Sequence, residues 1–144
     1  MDMRTRTFSL YIAATADQVW RALTDPCRTR QFYLGCTVES AFVEGATIVY
    51  RATVGPVTDA LHGEVLHVEP ARTLVHSLFT GIGREQEVHC WLTWEVAEVE
   101  PGLTRAALTC DDLDRHADPE RDETWSRVVS GLKTVLETGA EMKR

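Results

Sequence analysis

The chain has 144 residues, a formal net charge of −7, 44% hydrophobic residues and 26% charged residues. This length fits one domain that buries roughly 70% of its unfolded surface without disulfides or metal, and the acidic excess disfavours binding to a phosphate backbone. Since no apolar run approaches the about 18 residues of a membrane span, we expect one globular domain over residues 1–144, with no nucleic-acid partner and no membrane span.

The first two predicted elements are a strand and a helix. The strand spans Thr7 to Ala13, where apolar and polar residues alternate. The helix spans Ala16 to Thr24, and Thr15 and Gln18 have the spacing of a capping box at its start. It ends before Pro26, because the residue that precedes a proline avoids helical angles. The apolar face of this helix needs a partner in the fold.

A second short helical segment is predicted from Arg28 to Leu34, before Gly35. It carries two aromatic residues, Phe32 and Tyr33. Both are candidates for the core or for a pocket.

About six strands are predicted between Cys36 and Asp111, because alternating stretches are separated there by turns that contain Gly and Pro. The clearest strand spans Glu87 to Val99. One of its faces is apolar and consists of Val88, Cys90, Leu92, Trp94 and Val96. Its other face contains Glu87, His89, Trp91, Thr93 and Glu95. We expect the apolar face to point at the last helix.

Two hairpins follow from short turns in this region. Leu103 to Cys110 pairs with the clearest strand across Pro101-Gly102. Leu61 to Glu69 pairs with Thr73 to Phe79 across Pro70-Ala71. Connections of this length predict an antiparallel meander.

The last predicted element is a long amphipathic helix from Glu123 to Gly139. Gly139 suits the left-handed residue that ends many helices. One face of this helix is apolar and consists of Trp125, Val128, Val129, Leu132, Val135 and Leu136. An antiparallel sheet with one apolar face needs a covering layer, which the helices at the two ends of the chain supply. The pattern therefore predicts an α+β fold.

Three sequence segments carry a family resemblance: YIAATADQVWRALTDP followed by QFY, GEVLHVEPARTLVH in the middle, and WSRVVSGLKTVLETG at the end. With them the chain resembles the family related to the activator of the heat-shock protein ATPase, within the START-like, birch-pollen-allergen-like superfamily also called SRPBCC. The resemblance covers nearly the whole chain. It implies a helix-grip fold, in which a curved antiparallel sheet of about seven strands wraps around the C-terminal helix, with two short helices after the first strand.

The resemblance also implies a cavity between the sheet and the last helix, which in many relatives holds an apolar or amphipathic small molecule. A strongly curved sheet is hard to fill with one helix, so the residues favour the same interpretation. We place Phe32 and Tyr33 near the mouth of this cavity. The other candidate lining residues are Cys90, Leu92, Trp94, Leu108, Cys110, Trp125, Val129 and Leu132. The alternative is that these residues pack together as ordinary core.

His76 is the most interesting of the five histidines, since Leu74 and Leu78 are its neighbours on one face of a strand. An imidazole there can be an acid, a base or a polar anchor for a ligand, or a structural histidine. His62 and His67 are an odd number of residues apart, which predicts opposite faces of one strand and no shared metal ion. We expect His89 to be exposed.

No other motif predicts a metal or cofactor site. Gly81-Ile82-Gly83 has no helix behind it to form a phosphate site. The acidic group Asp111, Asp112 and Asp114 is typical of a solvated loop. The four cysteines lack paired spacing, and without a secretory signal we expect reduced thiols in a cytoplasmic protein. We therefore predict no metal and no cofactor.

Three classes of function remain open. The first is a binding protein for an apolar or amphipathic small molecule. The second is an interaction module that binds a chaperone, as the family resemblance implies. The third is an enzyme of the polyketide cyclase or aromatase kind, which needs an acid or base such as His76 or Tyr33. A homodimer is a further option. Binding is favoured, because the residues supply pocket candidates but no catalytic constellation.

Overall fold

The structure is a computed structural model that describes residues 4–52, 61–80, 87–112 and 119–142. Its elements in chain order are β1 (Arg4–Ile12), α1 (Ala16–Thr24), α2 (Pro26–Phe32), β2 (Cys36–Ser40), β3 (Thr47–Ala52), β4 (Leu61–Glu69), β5 (Thr73–Thr80), β6 (Glu87–Glu100), β7 (Leu103–Asp112) and α3 (Pro119–Thr138). The predicted order of one strand, two helices, six strands and one long helix is confirmed.

The strands form one curved antiparallel sheet in the order β1-β7-β6-β5-β4-β3-β2. Neighbours in sequence pair with each other from β2 to β7, while β1 closes the other edge by pairing with β7. The helix α3 packs against β1 and α2, and α1 packs against β6 and β7. The predicted α+β helix-grip fold is therefore confirmed.

The core lies between the inner face of the sheet and the helices. From Cys90 to Val96 the alternation on β6 is as predicted, because Cys90, Leu92, Trp94 and Val96 are buried while Trp91 is exposed. A register shift against β5 separates Val88 from this part of the strand. The apolar face of α3 is also confirmed: Trp125, Val128, Val129, Leu132 and Val135 are buried, and Leu136 is partly buried against them. Burying a side chain of this size contributes about 1.5–3 kcal/mol, so α3 is a major source of stability.

Both ends of α1 follow the prediction, whereas α2 and α3 begin earlier than predicted. Thr15 and Gln18 form the capping box. The carboxylate of Asp25 accepts a hydrogen bond from the backbone N–H of Cys27, and Pro26 occupies the first turn of α2. Pro119 likewise begins α3. Proline is well tolerated at the first position of a helix, because its missing N–H would have no partner there. In the sequence-based prediction, Pro26 only ends α1 and does not begin α2.

A bulge in β4 overturns the prediction that His62 and His67 face opposite sides. The register shifts between Val65 and His67. As a result, His62 pairs with Phe79 and His67 pairs with Val75, both on the outer face of the sheet. One extra residue in a strand reverses the alternation of every residue beyond it. No group of three or more potential metal ligands occurs in the described part of the chain.

Candidate functional site

All the predicted cavity residues lie in the interior. Phe32, the most exposed of them, retains only 7% of its accessible surface. The inner face of the sheet contributes His76, Cys90, Leu92, Trp94, Leu108 and Cys110, and the helical side contributes Phe32, Tyr33, Trp125, Val129 and Leu132. The residues thus lie on both the sheet side and the helical side of the interior, where all of them except His76 belong to the hydrophobic core.

Four rings form a connected group that we call the aromatic cluster: Tyr33, Tyr50, His76 and Trp125. The rings of Tyr33 and Tyr50 stack with centroids 4.2 Å apart. Tyr33 meets Trp125 edge to face at 5.9 Å, and Tyr50 lies 5.9 Å from His76. Among the described residues, Trp125 makes its ring contact with Tyr33.

The turn after α2 directs Tyr33 into the interior. The backbone N–H of Tyr33 donates to the carbonyl of Thr29 at 2.7 Å, and its carbonyl accepts from the N–H of Cys36 at 2.8 Å. Between these bonds, Leu34 and Gly35 have φ angles of 54° and 72°. The left-handed region is unfavourable for leucine, so packing and hydrogen bonds hold this turn and with it the Tyr33 ring.

Three buried polar atoms of the cluster form no hydrogen bond of normal length and angle within the described residues: the hydroxyl oxygen of Tyr33, Nε2 of His76 and Nε1 of Trp125. The Tyr33 side chain does interact with that of Tyr50. His76 uses only its other nitrogen, since Nδ1 lies 2.9 Å from the carbonyl oxygen of Ser77. A buried polar group without a partner costs about 1–3 kcal/mol. Such groups are normally paired with protein, water or a ligand, and three of them lie in this one cluster.

The ionisable members of the cluster are neutral near pH 7. Burial, reinforced by Tyr50, raises the pKa of Tyr33 well above its ordinary value, and burial also raises the pKa of Tyr50. Burial lowers the pKa of His76 to about 4, against the smaller effect of its hydrogen bond to Ser77. A neutral imidazole in an apolar surrounding can accept a hydrogen bond or a proton.

A row across the inner face connects His76 to the edge strand β1. His76 pairs with Leu92, Leu92 with Cys110, and Cys110 with Arg6, and residues that are directly opposite share one face of a sheet. The guanidinium of Arg6 forms an ion pair with Asp122 in the first turns of α3. This pair neutralises the charge of Arg6.

The four cysteines do not form disulfides: Cys36, Cys90 and Cys110 are buried and Cys27 is exposed. In the acidic group, the carboxylate of Asp111 accepts a hydrogen bond from Thr5. Asp112 ends β7. Its side chain, the side chain of His89, Asp114 and Gly81-Ile82-Gly83 lie outside the described part of the structure.

A surface pocket of about 270 Å³ lies between α2 and α3. Its apolar lining includes Phe32, Leu34, Val128 and Met142, and Gln31 and Arg127 add polar groups. The two helices are close together beside this pocket: a Cβ atom added to Gly131 would lie only 3.2 Å from Cβ of Phe32. Of the predicted cavity residues only Phe32 lines this pocket, which is therefore distinct from the interior cluster.

Tyr50 is the member of the cluster that the sequence analysis missed. It alternates with Ile48 on the inner face of β3. The alternation in TIVYRA was a signal for an inward tyrosine, but no motif pointed to its stacking with Tyr33. That contact depends on the curvature of the sheet, which brings β3 to α2.

A model of the family described as activator of Hsp90 ATPase homolog 1-like protein matches residues 13–137. No functionally curated protein matches the chain. Among solved structures, the Aha1 dimer from Colwellia psychrerythraea is 21% identical, with a TM-score of 0.76 over 95% of this chain and 98% of that one. A protein from Staphylococcus saprophyticus is 20% identical, with a TM-score of 0.74 over 97% of this chain and 96% of that one.

DynU16, described as a putative protein in the dynemicin biosynthetic locus, is 24% identical and has a TM-score of 0.77. The similarity covers 95% of this chain and 48% of that one. At these identities the solved structures establish a shared fold and no shared activity. No helix in the described segments is long and apolar enough to cross a membrane.

Proposed function

The chain belongs to the family of activator of Hsp90 ATPase homolog 1-like proteins, and from this premise we propose that it binds a small amphipathic molecule between its sheet and α3. The proposal keeps the predicted cavity residues as its site. Their apolar members, such as Leu92, Leu108 and Leu132, contact the apolar body of the guest. The aromatic cluster contacts its polar group.

The observation that carries the proposal is the set of three unpaired polar atoms on Tyr33, His76 and Trp125. Apolar side chains at these three positions would make the fold more stable, because unpaired buried polar atoms reduce the free energy of unfolding. A guest whose polar end forms hydrogen bonds with these atoms would offset that cost when it binds. Apolar walls with a few convergent polar groups are typical of small-molecule sites.

Fluorescence titration with the neutral apolar dye N-phenyl-1-naphthylamine tests the proposal. We expect saturable binding at micromolar concentration, equivalent to about 8 kcal/mol, with quenching of tryptophan emission. Leu132→Trp fills the space beside α3 and should weaken binding. Val99→Trp is the matched control, since Val99 is exposed on β6 and the same side chain there should leave binding unchanged. Only non-saturable binding, or equal binding by both variants, would contradict the proposal.

A chaperone-binding role is the second candidate, and the description of the matching family favours it. In this role the protein would raise the ATPase rate of an Hsp90-type chaperone from its own cell. A steady-state ATPase assay with and without the protein measures this directly. An unchanged rate at saturating protein would eliminate this candidate without affecting the small-molecule proposal.

An enzyme of the polyketide cyclase kind is the third alternative, and the neutral His76 is the side chain that favours it. A cyclisation needs a base in contact with the substrate. If His76→Gln retained full turnover of a candidate polyketide, His76 would not be that base. The cytoplasmic location and a homodimer also remain proposals; size-exclusion chromatography with light scattering tests the dimer.

A further inference from the structure

We propose that the interior site selects guests that carry a neutral hydroxyl group, with Nε2 of His76 accepting the hydrogen bond that this hydroxyl donates. The inference rests on the proposed function, because it names the class of ligand for the same site. It is carried by the donor and acceptor roles of the three unpaired atoms in the aromatic cluster.

The hydrogen bond to Ser77 fixes the role of His76. Its Nδ1 lies 2.9 Å from the carbonyl oxygen of Ser77, and a carbonyl oxygen can only accept a hydrogen bond. Nδ1 therefore carries the ring proton, and Nε2 presents a lone pair. This lone pair is buried and has no partner among the described residues. The site accordingly contains an open acceptor, which requires a donor on the guest.

The other two atoms supply donors. Nε1 of Trp125 can only donate, and the hydroxyl of Tyr33 can donate and accept. Both are buried and unpaired in the described structure, and Tyr33 contacts Trp125 directly and His76 through Tyr50. A hydroxyl is the smallest neutral group that donates to one atom while it accepts from another. It therefore matches this mixed set of atoms.

A carboxylate matches the set poorly. It can only accept hydrogen bonds, so it would leave Nε2 of His76 without a donor. It would also need a cation, because an isolated buried charge is strongly unfavourable. The guanidinium of Arg6, on the same inner-face row, is already paired with Asp122. A pure hydrocarbon satisfies none of the three atoms. The fit of donors and acceptors thus favours alcohols and phenols over fatty acids and hydrocarbons.

Three guests of nearly equal shape test the inference: 2-naphthol, naphthalene and 2-naphthoate. Each competes with N-phenyl-1-naphthylamine for the full-length protein at about pH 7. We expect 2-naphthol to bind about tenfold more tightly than either of the others, the effect of one good buried hydrogen bond. His76→Leu should remove this preference, so that the ratio of the 2-naphthol and naphthalene affinities falls from about tenfold to about one. His76→Gln, which retains an acceptor oxygen, should restore part of the preference.

The outcomes separate the inference from the proposed function. Saturable dye binding with equal affinities for 2-naphthol and naphthalene would overturn the hydroxyl preference and leave the interior site intact. Tightest binding of 2-naphthoate would also overturn it. If neither the dye nor any of the three guests binds saturably, the proposed function itself fails. Naphthalene binding also shows whether each variant still folds around the site.

Discussion

Tyr33 at the end of α2 and Tyr50 on β3 stack with their rings 9° from parallel and their centroids 4.2 Å apart. Both side chains are buried, and the stack joins the short helices to the half of the sheet that is formed by β2, β3 and β4. It also positions the Tyr33 ring, which contacts Trp125 edge to face. The contact therefore links the stability of the fold to the geometry of the site.

Removing the Tyr50 ring should be strongly destabilising. We expect Tyr50→Ala to lower the free energy of unfolding by about 3–5 kcal/mol, as for other buried aromatic residues. Tyr50→Phe retains the ring and should lose less than about 1.5 kcal/mol. Urea denaturation followed by circular dichroism measures both. Similar losses in the two variants would show that the hydroxyl, and not the stack, provides the stability.

Gly63 on β4 is expected to tolerate no side chain. A Cβ atom there would lie 1.8 Å from the carbonyl oxygen of Ser77 on β5, so Gly63→Ala forces the two strands apart. We expect a loss of at least about 2 kcal/mol. Gly102→Ala is the control: its Cβ would meet nothing within 4 Å, and only its positive φ opposes the change, at about 1–2 kcal/mol. If thermal melts show that Gly102→Ala lowers the melting temperature more than Gly63→Ala does, the close approach of β4 and β5 at Gly63 is contradicted.

His76 should make the protein less stable in mild acid. Its pKa is about 4 in the folded state and about 6.5 in an unfolded chain, so below pH 6.5 the unfolded state binds a proton that the folded state excludes. Between pH 7 and pH 4 this lowers the free energy of unfolding by about 3 kcal/mol. His76→Leu should lack this part of the pH dependence. The free energy of unfolding of both proteins is measured between pH 7 and pH 4. If it depends on pH to the same extent in both, the imidazole of His76 is accessible to protons in the folded state and the prediction is wrong.

The last helix should be indispensable. A chain that ends at Asp122 loses the buried Trp125, Val129 and Leu132, each contributing about 1.5–3 kcal/mol. Together these equal most of the about 5–15 kcal/mol by which a typical domain is stable. We expect this truncated chain to show no cooperative melting transition in calorimetry. A transition at the temperature of the full chain would mean that α3 is not part of the core.

The fold could be predicted from the sequence, because the patterns that indicate its strands and helices are local. The alternation in β6, the capping box at Thr15 and the apolar face of α3 each follow from residues that are close together in the chain. The site was harder to predict, since its contacts join distant segments. Tyr33 stacks on Tyr50, 17 residues further along the chain, and one bulge places His62 and His67 on the same face. Such features depend on sheet curvature and register, which periodicity alone does not encode.

Intermolecular nuclear Overhauser contacts to bound N-phenyl-1-naphthylamine would test the central claim most directly. A guest between the sheet and α3 should show contacts to the indole of Trp125 and to the imidazole of His76, with the dye saturating one site. Contacts to the methyl groups of Leu34 and Met142, without any to Trp125 or His76, would place the guest in the surface pocket between α2 and α3 and contradict the interior site.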